Sequence, residues 1–277
     1  MSLYYIVYLS LLTIPFCHQT HINCFYEDPN LDTRSIKEVI TNPPQSDGFG
    51  SQFQVIIASV IYAELNNKKF VYTPFQRMEH NYTHDNDFIA KKEHLINFIG
   101  NFELNKNHTN HSYINYKLHF DANVVAYANS LSLKKIKQIF RANKNINRYF
   151  NNDNLNIVVH IRRPNSHDNR IEGTDTSDTI FLNIINKLRI MYASKNPLFH
   201  IHSQGKIEGF TQFKAPDVVL HLNKSTEESF TAMVLADVLV TGTSSFSYTA
   251  GLLSEGIVYY VPFWHAALPS WIPINQL

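Results

Sequence analysis

Residues Ile157-Val-Val-His-Ile-Arg-Arg163 run from an apolar strand into a histidine and two adjacent arginines. Burial in a sheet explains the apolar part. Two guanidiniums at the C-terminal edge of a sheet supply a fixed fork of donors for phosphate oxygens. Alternation along the strand places His160 and Arg162 on one face, and Ile161 and Arg163 on the other, until the chain turns at Pro164. His160 and Arg162 can therefore share a ligand, while Arg163 reaches it only where the strand twists or ends. The competing reading of the arginine pair is ion pairing with nearby carboxylates. Two other segments suit a ligand-holding loop. Asp47-Gly48-Phe49-Gly50-Ser51-Gln52 sets two glycines around an aromatic ring directly before a helical pattern. There the backbone can approach a phosphate or ribose, and the helix start adds N–H groups and a favourable dipole. Thr243-Ser244-Ser245-Phe246-Ser247 leads from a strand into a helix; an N-cap uses one of its hydroxyls and leaves the others to be explained.

These loops need elements to carry them. Apolar positions Val55, Ile56, Ala58, Ile61 and Tyr62 predict a helix to about Asn66 that is apolar on most faces, followed by a strand from Lys69 to Thr73. Residues 79–123 are rich in His, Asn and Asp without a strong period and read as loops and short helices. The second half alternates clearly: strands at 155–161, 198–202, 218–222 and 238–241, and a final strand at 257–261. Helices fall between them from Asp178 to about Ala193, from Ser225, and from the serine run to near Gly256. Thr176 or Asp178 is the expected cap of the first, and Ser225 with Glu228 has capping-box spacing in the second. This alternation implies an α/β fold with a parallel sheet covered on both faces. The basic run Lys134, Lys135, Lys137, Arg141, Lys144 and Arg148 accompanies apolar Leu133, Ile136, Ile139 and Phe140 at helical spacing, so it reads as a solvated helix face.

The chain has 277 residues, with 24 basic against 23 acidic side chains, a balance that argues against nucleic acid as a partner. An apolar run from Leu3 to Phe16 has the length of a signal-peptide core, which points to the secretory pathway, the Golgi or ER lumen, or secretion, with a cytoplasmic protein as the alternative. It lacks a basic flank and small residues for cleavage. Cys17 and Cys24 are the only cysteines, which excludes a disulfide framework. Glycosylation sequons occur at Asn81, Asn107, Asn110 and Asn223.

Together the three loops resemble the fucosyltransferase superfamily whose members share a strand ending in His-x-Arg-Arg, the α1,2- and α1,6-fucosyltransferases among them. Its first loop reads like Gly48-Phe49-Gly50-Ser51-Gln52 and its third like Ser244-Ser245-Phe246-Ser247, in the same order and spacing. The resemblance covers residues 47–75 and 155–265 and is strongest from Ala236-Asp237 to Pro262. It implies a GT-B-type glycosyltransferase of two Rossmann-like lobes with GDP-fucose in the cleft. A leader would occupy 1–24, an N-terminal lobe on the acceptor side 25–150, and a C-terminal lobe binding the nucleotide sugar 151–277. By this resemblance Arg162 holds the donor pyrophosphate and His160 lies against the nucleotide. Ser244 and Ser245 touch phosphate, and Gly50, Ser51 and Gln52 close over the donor from the other lobe. Gly48, Arg163 and Phe246 complete the donor-contacting set. Where many relatives carry a carboxylate shortly after Arg-Arg, this chain has Pro164-Asn165. An inverting transfer needs a group to take the acceptor hydroxyl proton; Asp168 and Glu172 are the candidates.

The expectation is thus an inverting, metal-independent transfer of fucose from GDP-fucose to a glycan acceptor, with no cofactor. Membrane association would come only through the N-terminal apolar segment, if that segment is retained. A catalytically inactive nucleotide-sugar- or glycan-binding protein of the same fold is the alternative. Asp85-Asn-Asp87 matches a metal-chelating pattern of another glycosyltransferase class, but such short matches are common in polar loops. A sulfotransferase or kinase is disfavoured by the lack of a Gly-x-x-x-x-Gly-Lys-Ser/Thr loop.

Overall fold

The arginine-bearing strand lies in the middle of a six-stranded parallel sheet in the computed structural model. The structure describes residues 38–106, 114–142, 144, 149–150, 152–163 and 177–277. The apolar N-terminal run, Cys17, Cys24, Asn107, Asn110, Arg148, Asp168 and Glu172 lie outside the described residues. Among the described residues no helix is long and apolar enough to cross a membrane.

The first part of the chain comprises β1 (Val39–Thr41), α1 (Phe49–Leu65), β2 (Lys69–Val71), α2 (Phe88–Ile96), α3 (Tyr116–Ala122), α4 (Val124–Asn129) and α5 (Leu131–Arg141). β1 and β2 pair in parallel around α1, a short βαβ unit. The second part comprises β3 (Leu155–His160), α6 (Asp178–Met191), β4 (Pro197–Ser203), β5 (Val218–Leu222), α7 (Thr226–Leu235), β6 (Val238–Val240), α8 (Ser245–Leu253), β7 (Ile257–Tyr260) and β8 (Ile272–Pro273). Its sheet runs β5-β4-β3-β6-β7-β8 with every neighbour parallel. From β3 the chain winds outward one way through β4 and β5, then returns to β6 and winds outward the other way. That reversal puts a topological switch point between β3 and β6, where open α/β sheets hold ligands beyond the strands' C-terminal ends.

Alternation sorts β3 between two cores. Ile157, Val159 and Ile161 join Phe181, Leu188 and Phe210 on the α6 side. Val158 joins a larger cluster on the other side that includes Phe230, Met233 and Tyr248. The larger cluster continues without a break into Phe53, Ile57, Ile61 and Phe140 of α1 and α5. A partly buried ion pair ties the same two parts together: Lys92 on α2 lies 2.5 Å from Glu227 on α7.

Several local expectations are corrected. β7 is not the final strand, because β8 pairs beyond it through Tyr259 and Tyr260. Ser177, rather than Thr176 or Asp178, caps α6, its Oγ accepting from Thr179 N at 3.3 Å. Ser225 caps α7 as expected, its Oγ accepting from Glu228 N at 3.1 Å. The Glu228 carboxylate faces Lys224 at 3.4 Å. The basic run is only partly a solvated face. Lys137 donates to Ser254 O at 2.7 Å and Lys144 to Leu95 O at 3.0 Å, and burial pulls both ammonium pKa values down. Two sequon asparagines have side chains engaged in loop closure: Asn81 with Asp85, and Asn223 with Gly205.

Candidate functional site

Two loops flank the switch point. The chain after β3 carries Arg162 and Arg163, and the chain after β6 carries Gly242 to Ser244. They touch at a glycine: a Cβ on Gly242 would lie 2.6 Å from the His160 carbonyl oxygen and 3.1 Å from its Nδ1. Only glycine fits there. The His160 ring meets the edge of Phe246 at the start of α8, centroids 5.6 Å apart at 64°. Burial, with the Arg162 charge second, holds the His160 pKa down at about 3. The imidazole is therefore neutral at physiological pH, and its buried Nδ1 has no hydrogen-bond partner among the described residues.

The glycine loop arrives at the same place from the first part of the chain. A Cβ on Gly50 would lie 2.5 Å from the Phe246 backbone nitrogen and 2.8 Å from the Ser245 carbonyl carbon. Thr249 Oγ1 donates to Gly50 O at 2.8 Å. The first turns of α1 and α8 are thus in backbone contact. Each helix start carries N–H groups without intrahelical partners and roughly half a positive charge. Holding two such ends together is electrostatically unfavourable by itself, and an anion placed beside them offsets the cost. Phe49 fills the space behind, edge-on to Phe230 at 5.0 Å and to Phe246 at 6.3 Å.

Several site residues have protein partners. Ser244 is the N-cap of α8, its Oγ accepting from Phe246 N at 3.2 Å, and is buried. Ser247 closes the turn, accepting from Gly242 N at 3.0 Å. Ser245 and Phe246 are half-buried at the helix start. Gly48 lies against the His80 ring. Gln52 is buried and donates to the carbonyls of Asp47 at 2.6 Å and Arg77 at 2.7 Å, which shapes the loop from behind. Arg163 turns to the opposite face from His160, as alternation requires. There it pairs with Asp178 at 2.6 Å and lies 4.8 Å over Phe210. Arg162 is half-buried two residues beyond His160. The Asp85 carboxylate meets Lys91 at 2.5 Å and accepts from Asp87 N at 2.9 Å, a turn that leads into α2.

Other groups at this edge carry no motif. Lys117 on α3 donates to Ser51 Oγ at 2.5 Å, and Ser51 Oγ donates to Asp47 Oδ2 at 2.5 Å. Burial lowers the Lys117 pKa. Lys117 lies in the aperiodic 79–123 stretch, where nothing in the sequence marks it. The register also sets His160 beside His202, and His202 beside His221. The last two rings stack at 4.5 Å and 7°, and burial first, with neighbouring charges after it, brings His202 to about 3. The alternation His200-Ile-His202 in a strand was the signal for this row.

The fold and these loops define an α/β protein with a topological switch point at which two helix starts and the end of β3 meet. No protein-family model matches the chain, and no curated protein does. Among solved structures it is similar to NodZ α-1,6-fucosyltransferase co-crystallised with GDP, at 12% identity and a TM-score of 0.43, over 80% of this chain and 95% of that one. NodZ from Bradyrhizobium aligns at 12% identity and 0.43, over 79% and 93%. POFUT1 in complex with GDP-fucose aligns at 11% identity and 0.43, over 84% and 99%. These are likenesses in the course of the chain.

Proposed function

We propose that this chain is an inverting, metal-independent glycosyltransferase that transfers fucose from GDP-fucose to a glycan. Residues 25–150 and 151–277 would act as its acceptor-side and donor-side lobes. The observation that carries the proposal is the backbone contact of Gly50 with Ser245 and Phe246 beside the end of β3. It brings together three loops that are far apart in sequence, and in this reading the two helix starts and the Arg162 guanidinium serve one diphosphate. As the sugar departs with oxocarbenium character, charge builds on the leaving diphosphate, and preorganised donors stabilise it without reorganising. His160 stays neutral and lies against the nucleotide. Arg163, held by Asp178 and Phe210, positions the turn that carries Arg162. Asp168 and Glu172 remain the candidate bases.

Saturating GDP is expected to raise the melting temperature. A ligand at a hundred times its Kd stabilises the folded state by about 2.7 kcal/mol, or roughly 5–10 °C for a domain of this size. Differential scanning fluorimetry with GDP, UDP and CMP reads this directly; stabilisation by UDP or CMP without GDP contradicts the donor assignment. Transfer is also expected to persist in EDTA, since the guanidinium and helix ends already place positive charge at the leaving group. Activity lost in EDTA and restored by manganese would return Asp85 and Asp87 to consideration as ligands. A binding protein that lacks a base, the reading Asn165 keeps open, would show the GDP shift without consuming GDP-fucose when acceptor is supplied.

A further inference from the structure

Trp264 is 61% exposed, yet its loop is firmly held. The indole stacks on Phe263, centroids 4.6 Å apart and planes at 22°, and Phe263 packs against the larger core. The Tyr260 hydroxyl accepts from Phe263 N at 2.9 Å and donates to His265 O at 2.6 Å. Asp121 on α3 accepts from Ala266 N at 2.9 Å and meets His265 Nδ1 at 3.0 Å, while the Tyr248 hydroxyl donates to Ala266 O at 2.7 Å. An aromatic plate is thus fixed in solvent on both sides of its attachment. Burying it in the core would have been the favourable fate of so large an apolar group.

Its position is set by the sheet. Val261 N donates to Thr241 Oγ1 at 3.1 Å, so the loop after β7 leaves beside the loop after β6, whose Gly242 lies on His160. Adjacent strands are about 4.8 Å apart, which puts the root of the Trp264 loop two strands from His160 on the same edge. Helix α3 joins the two regions: Lys117 meets Ser51 of the glycine loop, and Asp121 meets the Trp264 loop. One indole over one phenyl ring matches the size of a single sugar ring. It is far smaller than a stable protein interface, which takes about 800 Å² from each partner.

We propose that Trp264 is the stacking platform for a pyranose ring of the acceptor glycan, an inference that rests on the glycosyltransferase reading. One face of a pyranose presents C–H groups with partial positive charge, which suit the negative face of an indole. The ring hydroxyls remain at its edge, in solvent.

The chain has two tryptophans, and Trp271 is only 7% exposed, so iodide quenches chiefly Trp264 fluorescence. Iodide quenching of the full chain, with GDP present, is measured against lactose, N-acetyllactosamine, chitotetraose and cellotetraose. At least one sugar is expected to reduce the quenching constant roughly twofold at half saturation or better, and Trp264→Leu is expected to weaken binding of that sugar about tenfold by calorimetry. GDP stabilisation should be unchanged in the variant. If none of these sugars protects the indole, or if Trp264→Leu binds the protecting sugar as well as the parent chain, the platform is refuted. GDP stabilisation in the same samples tests the donor reading separately, so a chain that binds GDP but protects with no sugar loses this inference alone.

Discussion

Arg162→Ala is expected to lower fucosyl transfer by about a hundredfold while the protein stays folded. A hydrogen bond to a charged group contributes about 1.5–3 kcal/mol, and more where it strengthens as charge develops in the transition state. Arg162 follows His160 at the switch point, and under the proposed function its removal would leave the two helix starts to hold the diphosphate alone. Arg162→Lys should recover little, because an ammonium keeps the charge but loses the planar fork. Arg163→Ala provides the contrast. Its partners are Asp178 and Phe210, so its loss should appear as about 1 kcal/mol of stability with a smaller effect on turnover. Initial rates with GDP-fucose, together with melting temperatures, separate the two. Near-normal activity in Arg162→Ala would make the strand-end arginine structural and remove the central support of the proposed function.

Gly50→Ala is expected to destabilise the protein and to disable the site together. The new methyl would meet the Phe246 nitrogen at 2.5 Å, and a backbone atom cannot yield by changing rotamer. Helix α1 would have to back away from α8, lengthening the Thr249–Gly50 hydrogen bond and shifting Phe49 off Phe230. Overpacking of this kind costs about 1–3 kcal/mol or more. The gain in helix propensity from glycine to alanine, about 1 kcal/mol, opposes it. We expect a net loss of roughly 2 kcal/mol, a fall in melting temperature of about 5 °C, and GDP affinity reduced about tenfold as the helix starts separate. Gly209→Ala is the control, since nothing lies within 4 Å of its added Cβ, and it should leave both quantities unchanged. A Gly50→Ala protein as stable as the parent and equally stabilised by GDP would mean that the contact between α1 and α8 is not what forms the site.

Much of the framework was legible in the sequence because it is set by local preference. The all-round apolar pattern of residues 53–63 could only be a helix buried on most sides, and α1 is buried so. The run Ile157–Val159 before His160 reads as an interior strand and is one, and Ser225 three residues before Glu228 has capping-box spacing and opens α7. Alternation even told the fate of Arg163, since a two-residue period sends it away from His160.

What the tertiary structure alone decided concerns partners distant along the chain. Only pairing places β6, not β4, on the other side of β3, and only that order creates a switch point between the arginines and the serine run. Only packing of α1 on α8 shows that Gly50 is a contact to Ser245 and Phe246, where the sequence displayed a turn glycine before a helix. Ser177 took the cap expected of Thr176 or Asp178, and the serine run divided into a cap at Ser244, a turn closure at Ser247 and a half-buried Ser245. Lys117 meets Ser51, and Asp121 meets His265, across gaps in sequence that no periodicity spans. The division follows from range. Helix, strand and cap are chosen by neighbours a few residues away, whereas a site built from strand ends and helix starts depends on which elements the core brings side by side.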